Sequence, residues 1–552
     1  MRIAILYICT GKYKVFWKDF YLSSEKRFIP KAEKHYFVFT DAKEIEFENE
    51  NSKIHKIFQK NLGWPDNTLR RFEMFLNIKH DLINFDYVFF FNANLMFMED
   101  ISDQDFLPIN NEQLVACIHP GFYKKNTDKF PYEYRDTSTA YIEKRNKEFY
   151  FCGGINGGKT KDFIEAMEKM QNNIKKDDSN DIVALWHDES HWNKYICDDK
   201  KIFKILTPDF LYPEGFNLKF EPKLLLRSKD RFFNTQKMHK QKRITKSGIK
   251  KILNKIIAKI KYLIFNLFDC IYYSKIILKI KSKKTTTNNN EIKISVAISS
   301  FHREKLIHKS LFNILNDNRI DEIVVLDDGS SIESFKKTKK IIENIKNKKI
   351  KLYRRENNLG VLPTKIEAVS LCKNDWVILL DSDNTICKSY IDGIYKCNWS
   401  ENTIYSPAFA YPLLDFRKIS NQKIDFKKLK DLLIKETLVT ERFLNDGNFF
   451  FNKNKFMELI SIHKFIPVQA SDIIFINYIW LINNNNIYII PNTKYLHRVH
   501  IKSIWKELQQ SSSKIFEYLR FNILLEKKKT PEEIEKDLGK NPVVESKIEK
   551  II

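Results

Sequence analysis

The feature that most constrains the fold is a strand-like segment that occurs twice. Residues 86–97, DYVFFFNANLMF, and residues 375–386, DWVILLDSDNTI, each begin with Asp and an aromatic residue, continue through apolar residues and reach a short polar triplet. Such runs are typical of buried parallel strands whose carboxyl ends face a ligand. A chain of 552 residues is too long for one ordinary core, so we expect two domains of related construction.

Strand and helix patterns alternate around both segments. Apolar runs such as IAILYIC, HYFVFTD, IKISVAISS and DEIVVLDDGS alternate with segments of helical apolar spacing, for example residues 67–83. The alternation predicts an α/β fold with a doubly wound, mostly parallel sheet in each half. The predicted organisation is a domain at 1–236, a connector at 237–290, a second domain at 291–505 and a charged helical extension at 506–552.

The predicted connector differs from both halves in composition. Residues 237–284 contain fifteen Lys or Arg and one acid, Asp269, interleaved with Ile, Leu, Phe and Tyr. This pattern favours basic amphipathic helices that lie on an anionic membrane surface. The alternative is a solvated helical linker between the domains. The low-complexity segment TTTNNN at 285–290 is a plausible domain border.

The net charge of +24 calls for an anionic partner or another cause. A nucleic-acid-binding protein would carry basic residues and stacking aromatics in a recognisable module, whereas here the charge is concentrated in the connector. None of the eight cysteines has CxxC or zinc spacing, which indicates a reducing compartment. The sequence shows no signal-peptide cleavage site and no uncharged stretch of the ~18–20 residues that a membrane span needs. We therefore expect a cytoplasmic protein, with the connector as a peripheral attachment to the inner face of the membrane.

In the second half, Asp381 and Asp383 follow the apolar part of a predicted strand at positions i and i+2. Carboxylates so placed suit Mg²⁺ or Mn²⁺, which prefer oxygen ligands and keep coordination sites for substrate phosphates. For two such acids alone, a solvated turn is the alternative. Asp327 and Asp328 end a neighbouring predicted strand in VVLDDGS. Two acidic strand ends side by side favour a nucleotide diphosphate as the ligand.

The segments SSFHRE, VVLDDGS, ENNLGV and LLDSD, in this order, resemble glycosyltransferase family 2, whose members are inverting enzymes with a GT-A fold and nucleotide-sugar donors. The resemblance covers residues 291 to about 505. It implies that Asp327 and Asp328 bind the nucleoside, and that Asp381 and Asp383 bind the metal and the diphosphate.

The same resemblance implies a catalytic base on an acidic residue that begins a later helix. Asp472 in QASDIIFINYIW matches this position and would deprotonate the acceptor hydroxyl; its alternative role is to cap that helix. His500 in YLHRVHIKSIW would be a further metal or phosphate ligand, or else a packing residue. The family uses so many sugars that the donor of this domain is unknown.

Three segments of the first half suggest chemistry. NTLRRFEM contains Arg70 and Arg71, whose guanidinium groups suit a diphosphate. FYFCGGINGG has four glycines within six positions, which indicates close backbone approach to a ligand or tight turns. WHDESHWNKY, at 186–195, collects acidic, His and Lys side chains. Its spacing differs from the HExxH zinc motif, and the alternative is a salt-bridged helix start.

Together with ICTGKY, HYFVFTD, HPGFY and ILTPDFLY, these segments resemble glycosyltransferase family 6, the ABO blood-group type. Its members are retaining α1,3-N-acetylgalactosaminyl- or galactosyltransferases with a GT-A fold, and the resemblance covers residues 1 to about 235. The nucleotide-sugar site predicted on this basis comprises Ile8, Thr10, Tyr13, Arg71, Asn92, Asn94, Cys152, Gly153, Gly154, Asp188 and Lys194. The predicted acceptor site comprises His119, Tyr123, Trp186 and His187.

The resemblance also implies the roles of residues around the reacting carbon. Glu189 would face the anomeric centre from the side opposite the leaving UDP, as a nucleophile or as a stabiliser of an oxocarbenium ion. Cys152 and Gly154 match the positions that discriminate GalNAc from Gal in this family. A glycine at the second position leaves room for the acetamido group, so UDP-GalNAc is favoured over UDP-Gal.

The chain departs from the animal members of the family at the triplet Asn92-Ala93-Asn94, where they have DxD. Neutral amides are poor sole ligands for Mn²⁺, and the sequence resembles bacterial members with NxN and metal-independent activity. No cofactor is therefore expected in the first half, and protein cations must offset the charge on the leaving diphosphate. The candidates are Arg70, Arg71, Lys194 and the basic residues at 227–231. A binding-only, lectin-like module is the alternative, and the presence of Glu189 argues against it.

The sequence thus predicts a bifunctional glycosyltransferase: a retaining, metal-independent first domain and an inverting second domain that uses Mg²⁺ or Mn²⁺. The expected setting is bacterial surface polysaccharide or lipopolysaccharide synthesis. The first domain would take UDP-GalNAc or UDP-Gal, the second an unknown nucleotide sugar, and the acceptor would be a fucosylated galactoside or a lipid-linked oligosaccharide. The alternative is that one domain is catalytic and the other binds glycans or is structural.

Overall fold

The computed structural model describes residues 1–143, 149–198, 202–233, 292–412, 414–460, 471–498, 515–538 and 548–551. The chain forms two compact units, Met1–Arg243 and Ile244–Ile552. The predicted connector and His500 lie outside the described residues.

In its described residues, the first unit has ten strands and seven α-helices. Its strands are β1 (Arg2–Ile8), β2 (Glu33–Thr40), β3 (Ile54–Phe58), β4 (Tyr87–Phe91), β5 (Leu95–Phe97), β6 (Leu114–Ile118), β7 (Phe151–Lys159), β8 (Phe203–Leu206), β9 (Tyr212–Pro213) and β10 (Leu224–Leu226). Its helices are α1 (Trp17–Arg27), α2 (Asp66–Leu69), α3 (Arg71–Leu76), α4 (Lys79–Leu82), α5 (Asp103–Phe106), α6 (Thr160–Ser179) and α7 (Asp188–Asp198).

Seven of these strands form one sheet in the order β3-β2-β1-β4-β7-β6-β8. The first four strands are parallel, and β7 is antiparallel to both of its neighbours. Strand β1 shows why its sequence is almost wholly apolar: Ile3, Ile5 and Tyr7 belong to the core on one face, and Ala4 and Leu6 to the core on the other. A sheet covered on both faces requires such runs.

The segment 67–83 differs from the prediction of one continuous helix. It forms the three short helices α2, α3 and α4, with a break at Arg70 whose backbone (φ −91°, ψ 5°) leaves the helical region. The break sends the two adjacent arginines to different partners, because Arg70 pairs with Asp178 while Arg71 pairs with Asp188. Tertiary ion pairs therefore outweigh the local helical pattern.

The second unit continues the numbering. Its strands are β11 (Ile294–Ser300), β12 (Ile320–Asp327), β13 (Ile350–Arg355), β14 (Trp376–Asp381), β15 (Thr385–Ile386), β16 (Thr403–Tyr411), β17 (Leu414–Asp415), β18 (Lys423–Ile424), β19 (Phe450–Asn452), β20 (Asn486–Leu496) and β21 (Ile548–Lys550). Its helices are α8 (Ile307–Leu315), α9 (Ile332–Ile345), α10 (Val361–Ser370), α11 (Lys388–Ile394), α12 (Phe426–Lys435), α13 (Thr437–Leu444), α14 (Lys453–Ile460), α15 (Asp472–Ile482) and α16 (Pro531–Leu538), and residues 515–524 are also helical.

The centre of the second sheet repeats the first. Strands β13-β12-β11-β14 are parallel and have the same order as β3-β2-β1-β4, and antiparallel β19 follows β14 as β7 follows β4. The predicted α/β class is confirmed for both units. Parallel pairing also occurs outside these four-strand centres, between β6 and β8 and between β16 and β20, whereas β15, β19 and β21 pair antiparallel with their neighbours.

The C-terminal extension departs from its prediction as a helical segment. Helix α16 begins at Pro531 with the Thr530 hydroxyl capping Glu533 N–H at 3.3 Å, as the sequence indicates. However, β21 pairs antiparallel with β13 and covers one edge of the second sheet. Among the described residues, no helix is both long and apolar enough to cross a bilayer.

Candidate active sites

Both polar triplets lie at the same point of their sheets. Asn92 directly follows β4, whose last residue, Phe91, pairs with Tyr7 of the central strand β1. Asp381 ends β14 and pairs with Ser299 of the central strand β11. The carboxyl ends of parallel strands in open sheets are the usual location of ligand sites, so the two triplets mark two candidate sites of equivalent position.

Glu189 is the most heavily supported carboxylate of the first site. It is the second residue of α7, and its two oxygens accept hydrogen bonds from Gly153 N–H at 2.7 Å and Tyr150 O–H at 2.8 Å. The Cys152 thiol also bonds to it. Burial raises the pKa of Glu189 above its usual value, whereas these donors lower it by stabilising the anion. The carboxylate is therefore fixed in one orientation on the floor of the site.

A buried ion pair stands beside Glu189. Arg71 is 2% exposed, and its guanidinium lies 2.6 Å from Asp188 Oδ2 and donates to Gly153 O at 2.9 Å. The same guanidinium stacks over the Phe90 ring, 4.4 Å from its centroid. Because Arg71 and Asp188 neutralise one another, their pair adds little net charge and positions the β7 backbone next to Glu189.

The glycines of FYFCGGINGG have two different functions. A Cβ on Gly157 would lie 2.3 Å from Val88 O of the neighbouring strand, so this glycine allows close strand packing rather than ligand approach. A Cβ on Gly154 would lie 3.1 Å from Asn92 Nδ2 and 3.2 Å from Leu211. Gly154 thus allows the Asn92 and Leu211 side chains to approach the β7 backbone closely, and its predicted role in sugar selection stays a prediction.

The NAN triplet is tied into the protein scaffold. Asn92 N–H donates to Gly154 O at 2.9 Å, and the Asn94 side-chain amide donates to Arg227 O at 2.5 Å. Arg227 N–H returns a bond to Asn94 O at 2.9 Å. Both side chains are neutral amides, so the triplet offers no anionic ligand to a divalent cation, although the Asn94 Oδ1 atom is buried without a hydrogen-bond partner.

An open cleft of about 690 Å³ lies beyond the carboxyl ends of β1 and β2, next to Thr10. It is lined by Gly11, Lys14, Asp41, Ala42, Lys43 and Glu44. Asp41 accepts Gly11 N–H at 2.7 Å and thereby shapes the loop that carries Thr10 and Tyr13. Ile8, the last residue of β1, lies half-buried at the same end of the sheet. Ile8, Thr10 and Tyr13, three of the predicted nucleotide-sugar residues, therefore occur together at one sheet edge.

Most of the basic side chains that the sequence predicts to face the diphosphate form ion pairs with acids of the same domain. Arg70 pairs with Asp178, Lys194 lies 2.9 Å from Asp198 one turn along α7, and the guanidiniums of Arg227 and Arg231 pair with Asp19 and Glu214. Lys229 is placed differently from these side chains. Its ammonium lies over the Tyr13 ring, 5.2 Å from the centroid, in the region where the nucleotide is expected to bind.

Of the predicted acceptor residues, His119 lies next to Glu189, with ligand atoms of the two side chains within 4.8 Å of one another. His119 Nδ1 accepts Gly121 N–H at 3.0 Å, and burial lowers the pKa of His119 to about 4, so its neutral ring presents an Nε2–H donor. His187 stacks edge-on against Trp64 at 5.0 Å, and Trp186 is about half exposed. Tyr123 packs on Phe220, at 5.2 Å between ring centroids.

His119, Cys152 and Glu189 offer ligand atoms within 4.8 Å of one another, a set that resembles a small metal site. The hydrogen bonding argues against that use. His119 Nδ1 is occupied by a backbone N–H, and burial keeps the pKa of the Cys152 thiol well above its usual value, so the thiol is protonated and donates. This cluster is suited to bind sugar hydroxyls rather than a cation.

In the second site, the two aspartates of VVLDDGS are both buried and held by the protein. Asp328 accepts Arg355 Nη1 at 2.7 Å and the N–H groups of Leu359 and Gly360 at 3.1 and 3.0 Å. These bonds make Asp328 the anchor of the ENNLG loop. Asp327 accepts Ser330 N–H at 3.0 Å, and burial raises its pKa.

The DSD carboxylates lie next to cations of the same domain. Asp381 Oδ1 is 2.9 Å from Lys365 Nζ, and Asp383 Oδ2 is 3.8 Å from Arg303 Nε. Asp381 remains one-third exposed, and its other oxygen has only long contacts of 3.4 Å to Asn384 and Asn448. Two carboxylates with accessible oxygens at a strand end fit a hard divalent cation.

Asp472, from a later part of the chain, lies beside the same lysine as Asp381. It is the first residue of α15, and its Oδ2 lies 2.9 Å from the ammonium of Lys365. Lys365 and Tyr150 were not predicted as site residues.

Comparison with known proteins agrees with this geometry. Residues 1–242 match the sequence profile of glycosyltransferase family 6, and residues 295–458 match that of glycosyl transferase family 2. The chain is similar to the O-antigen biosynthesis glycosyltransferase WbnI of Escherichia coli, with 36% identity over 231 residues that cover 42% of this chain and 96% of that protein.

Two animal proteins are similar over the same half. The rat histo-blood group ABO system transferase 1 is 27% identical over 218 residues, 38% of this chain and 61% of that protein. The human globoside alpha-1,3-N-acetylgalactosaminyltransferase 1 is 28% identical over 221 residues, 39% of this chain and 62% of that protein. The chain thus spans nearly all of the bacterial relative but about three-fifths of the animal ones.

Proposed function

The chain belongs to glycosyltransferase family 6 through its first domain and carries a family 2 glycosyltransferase domain after it, and from this premise we propose that one polypeptide performs two sugar transfers with opposite stereochemistry and different metal requirements. The first domain transfers GalNAc, or Gal, from a UDP-sugar in α1,3 linkage with retention. The second domain transfers another sugar with inversion.

The observation that carries the first activity is the construction around Glu189. Three donors orient one carboxylate, a buried Arg71–Asp188 pair supports the adjoining backbone, and Gly154 lets the Asn92 side chain approach β7 closely. Such a carboxylate serves as the nucleophile, or as the stabiliser of an oxocarbenium ion, opposite a leaving UDP. A binding-only module would have no use for a buried anion held by three donors.

The first transfer proceeds without a metal in this proposal. The NAN triplet offers no anionic ligand, so the charge on the leaving diphosphate is offset by protein groups. Lys229, over Tyr13, is the best placed of the predicted cations, because the other basic side chains of 227–231 and Arg70 and Lys194 are paired with acids.

The second transfer uses Mg²⁺ or Mn²⁺ in this proposal. Asp381 and Asp383 would hold the ion, which neutralises charge on the diphosphate of the donor when it is bound. Asp472 takes the proton of the acceptor hydroxyl as that oxygen attacks the anomeric carbon. Asp327 and the loop anchored by Asp328 form the nucleoside side of the site.

The named relative from Escherichia coli suggests the biological setting. It is an O-antigen biosynthesis glycosyltransferase, and we infer that this chain likewise builds a bacterial surface polysaccharide, on a fucosylated galactoside or a lipid-linked oligosaccharide. The basic connector would hold the enzyme peripherally on the cytoplasmic leaflet. Deletion of 245–284 should release the protein from anionic vesicles, and unchanged binding would refute this anchor.

The test is a transfer assay with the full chain, labelled UDP-GalNAc or UDP-Gal, and a fucosylated galactoside. We expect transfer from both donors, faster from UDP-GalNAc, and an α1,3 linkage in the product by NMR. A folded chain that transfers neither sugar, or that gives a β-linked product, would contradict the proposed first activity.

A further inference from the structure

Lys365 is a buried lysine that connects two parts of the second site. It lies on α10, is 2% exposed, and its ammonium is 2.9 Å from Asp381 Oδ1 and 2.9 Å from Asp472 Oδ2. The two carboxylates raise the pKa of Lys365, against the effect of burial, so the side chain is a cation. The two acids have different proposed roles, since Asp381 would hold the metal and Asp472 would be the base.

We propose that Lys365 is a positioning residue that occupies Asp381 as a resident counter-cation and competes there with the divalent ion. This inference rests on the proposed metal-dependent function of the second site and deepens it. A divalent ion that binds Asp381 must displace the ammonium or share the carboxylate with it. Because the same ammonium holds Asp472, cation binding and the environment of the base are coupled, and such coupling acts equally in both directions.

The chain offers a contrast that argues against a purely structural lysine. Lys430 is also buried, at 7% exposure, and pairs with Glu526, a carboxylate that is half exposed. Lys365 instead serves two carboxylates from different elements, one of which retains exposed surface toward the site. A buried ion pair by itself contributes little to net stability, so a lysine that joins these two acids is better explained by function.

The distances set the size of the effect. Both carboxylate oxygens lie 2.9 Å from the ammonium, so a divalent ion on Asp381 would lie within roughly 5 to 6 Å of this charge. Repulsion between the ion and the ammonium weakens cation binding roughly tenfold at a dielectric constant of about 80, and on the order of 10⁴-fold at an effective value of about 20. Removal of the ammonium should therefore strengthen cation binding by about tenfold or more.

The test measures binding of Mn²⁺ alone to the full chain, without nucleotide, from the electron paramagnetic resonance signal of free Mn²⁺. Asp381→Asn supplies the background from other sites. Lys365→Met, which keeps length but removes charge, should bind Mn²⁺ about tenfold or more tightly than the wild type. Lys430→Met is the matched control and should bind Mn²⁺ as the wild type does.

Two results would overturn the inference, and they are distinguishable. If Asp381→Asn loses a Mn²⁺ site that wild type and Lys365→Met bind equally well, Lys365 does not compete, although the metal site stands. If neither wild type nor Lys365→Met binds Mn²⁺ at Asp381, the proposed metal dependence fails as well.

A second variant keeps the inference testable if Lys365→Met does not fold. In Asp472→Asn the ammonium is left to Asp381 alone, so we expect Mn²⁺ to bind several-fold more weakly than to the wild type, although Asp472 is not a metal ligand. Unchanged affinity in this variant would overturn the coupling. Circular dichroism and thermal melting establish that each variant is folded.

Discussion

The two domains place a polar triplet at the same strand end but use it differently. Asn92 and Asn94 bond to Gly154 and Arg227 and hold the scaffold together, while Asp381 and Asp383 stay partly exposed beside exchangeable cations. The topology around them is shared, because both triplets follow the fourth strand of a 3-2-1-4 parallel centre. We therefore propose that the position in the fold fixes where a nucleotide sugar binds, and that the triplet decides how the charge of its diphosphate is offset.

The buried cations follow the same division. In the first site Arg71 is committed to Asp188 and to the Gly153 carbonyl, and its surroundings leave it fixed. In the second site Lys365 is divided between two carboxylates, so a stronger cation can replace it on one of them. A metal-independent site needs charges that stay in place, whereas a metal-dependent site needs carboxylates that an ion can reach.

The largest predicted effect that distinguishes the two sites is the fall in GalNAc transfer when the Glu189 carboxylate is removed. Glu189→Gln keeps the shape but removes the anion, so GalNAc transfer should fall on the order of 10³-fold. Mn²⁺ binding at the second site should be unaffected. Glu168→Gln, at an exposed acid paired with Lys79, is the control. Retention of more than a tenth of the transfer rate in Glu189→Gln would show that this carboxylate is not at the reaction centre.

A smaller effect concerns the space at Gly154. A methyl group there would lie 3.1 Å from Asn92 Nδ2, so Gly154→Ala should lower kcat/KM for UDP-GalNAc about 10- to 100-fold and spare UDP-Gal. Gly153→Ala is the contrast, because its methyl would press on Glu189 and Arg71 and slow both donors alike. Equal losses for both donors in Gly154→Ala would refute its role in sugar selection.

The role of Lys229 predicts a binding effect of about one order of magnitude. Lys229→Met should raise the dissociation constant of UDP about tenfold, or ~1.4 kcal/mol, measured by calorimetry with EDTA present. Lys223→Met, which removes a lysine paired with Asp105, should leave UDP affinity unchanged. If Lys229→Met binds UDP with the affinity of the wild type, other groups of the first site offset the charge of the leaving diphosphate.

The smallest predicted effect is a shift in pH dependence. The ionised form of Glu189 is required, and its pKa is raised by burial and lowered by the Tyr150 hydroxyl. Tyr150→Phe therefore raises this pKa further, and the acidic limb of kcat/KM should move about one unit to higher pH. Tyr132→Phe, whose hydroxyl bonds only to Phe149 O among the contacts described, should not move it. A limb that stays in place in Tyr150→Phe would show that another group limits the rate in acid.

The sequence was sufficient for the elements whose signals are local. The strands before both triplets and the cap at Thr530 follow from apolar runs and a capping residue. The family resemblances named by the motifs are confirmed by the two sequence profiles. The predicted roles of the individual site residues stay predictions.

The elements that were missed depend on contacts far apart in the chain. Tyr150 meets Glu189 across 39 residues, and Lys365 meets Asp472 across 107 residues, so no local pattern joins them. One signal was available, because Lys365 lies on the buried face of α10 with Leu362, Ala368 and Val369, where a lysine needs a partner. The antiparallel edge strand β21 had no comparable signal.

The central claim is that the first transfer needs no metal although the second site is built for one. The most direct test is GalNAc transfer to a fucosylated galactoside by the full chain carrying Asp383→Ala, assayed in excess EDTA. We predict the same rate with and without chelator. Complete loss of transfer in EDTA, with activity restored by Mn²⁺ or Mg²⁺, would contradict the account of the Asn92–Asn94 site.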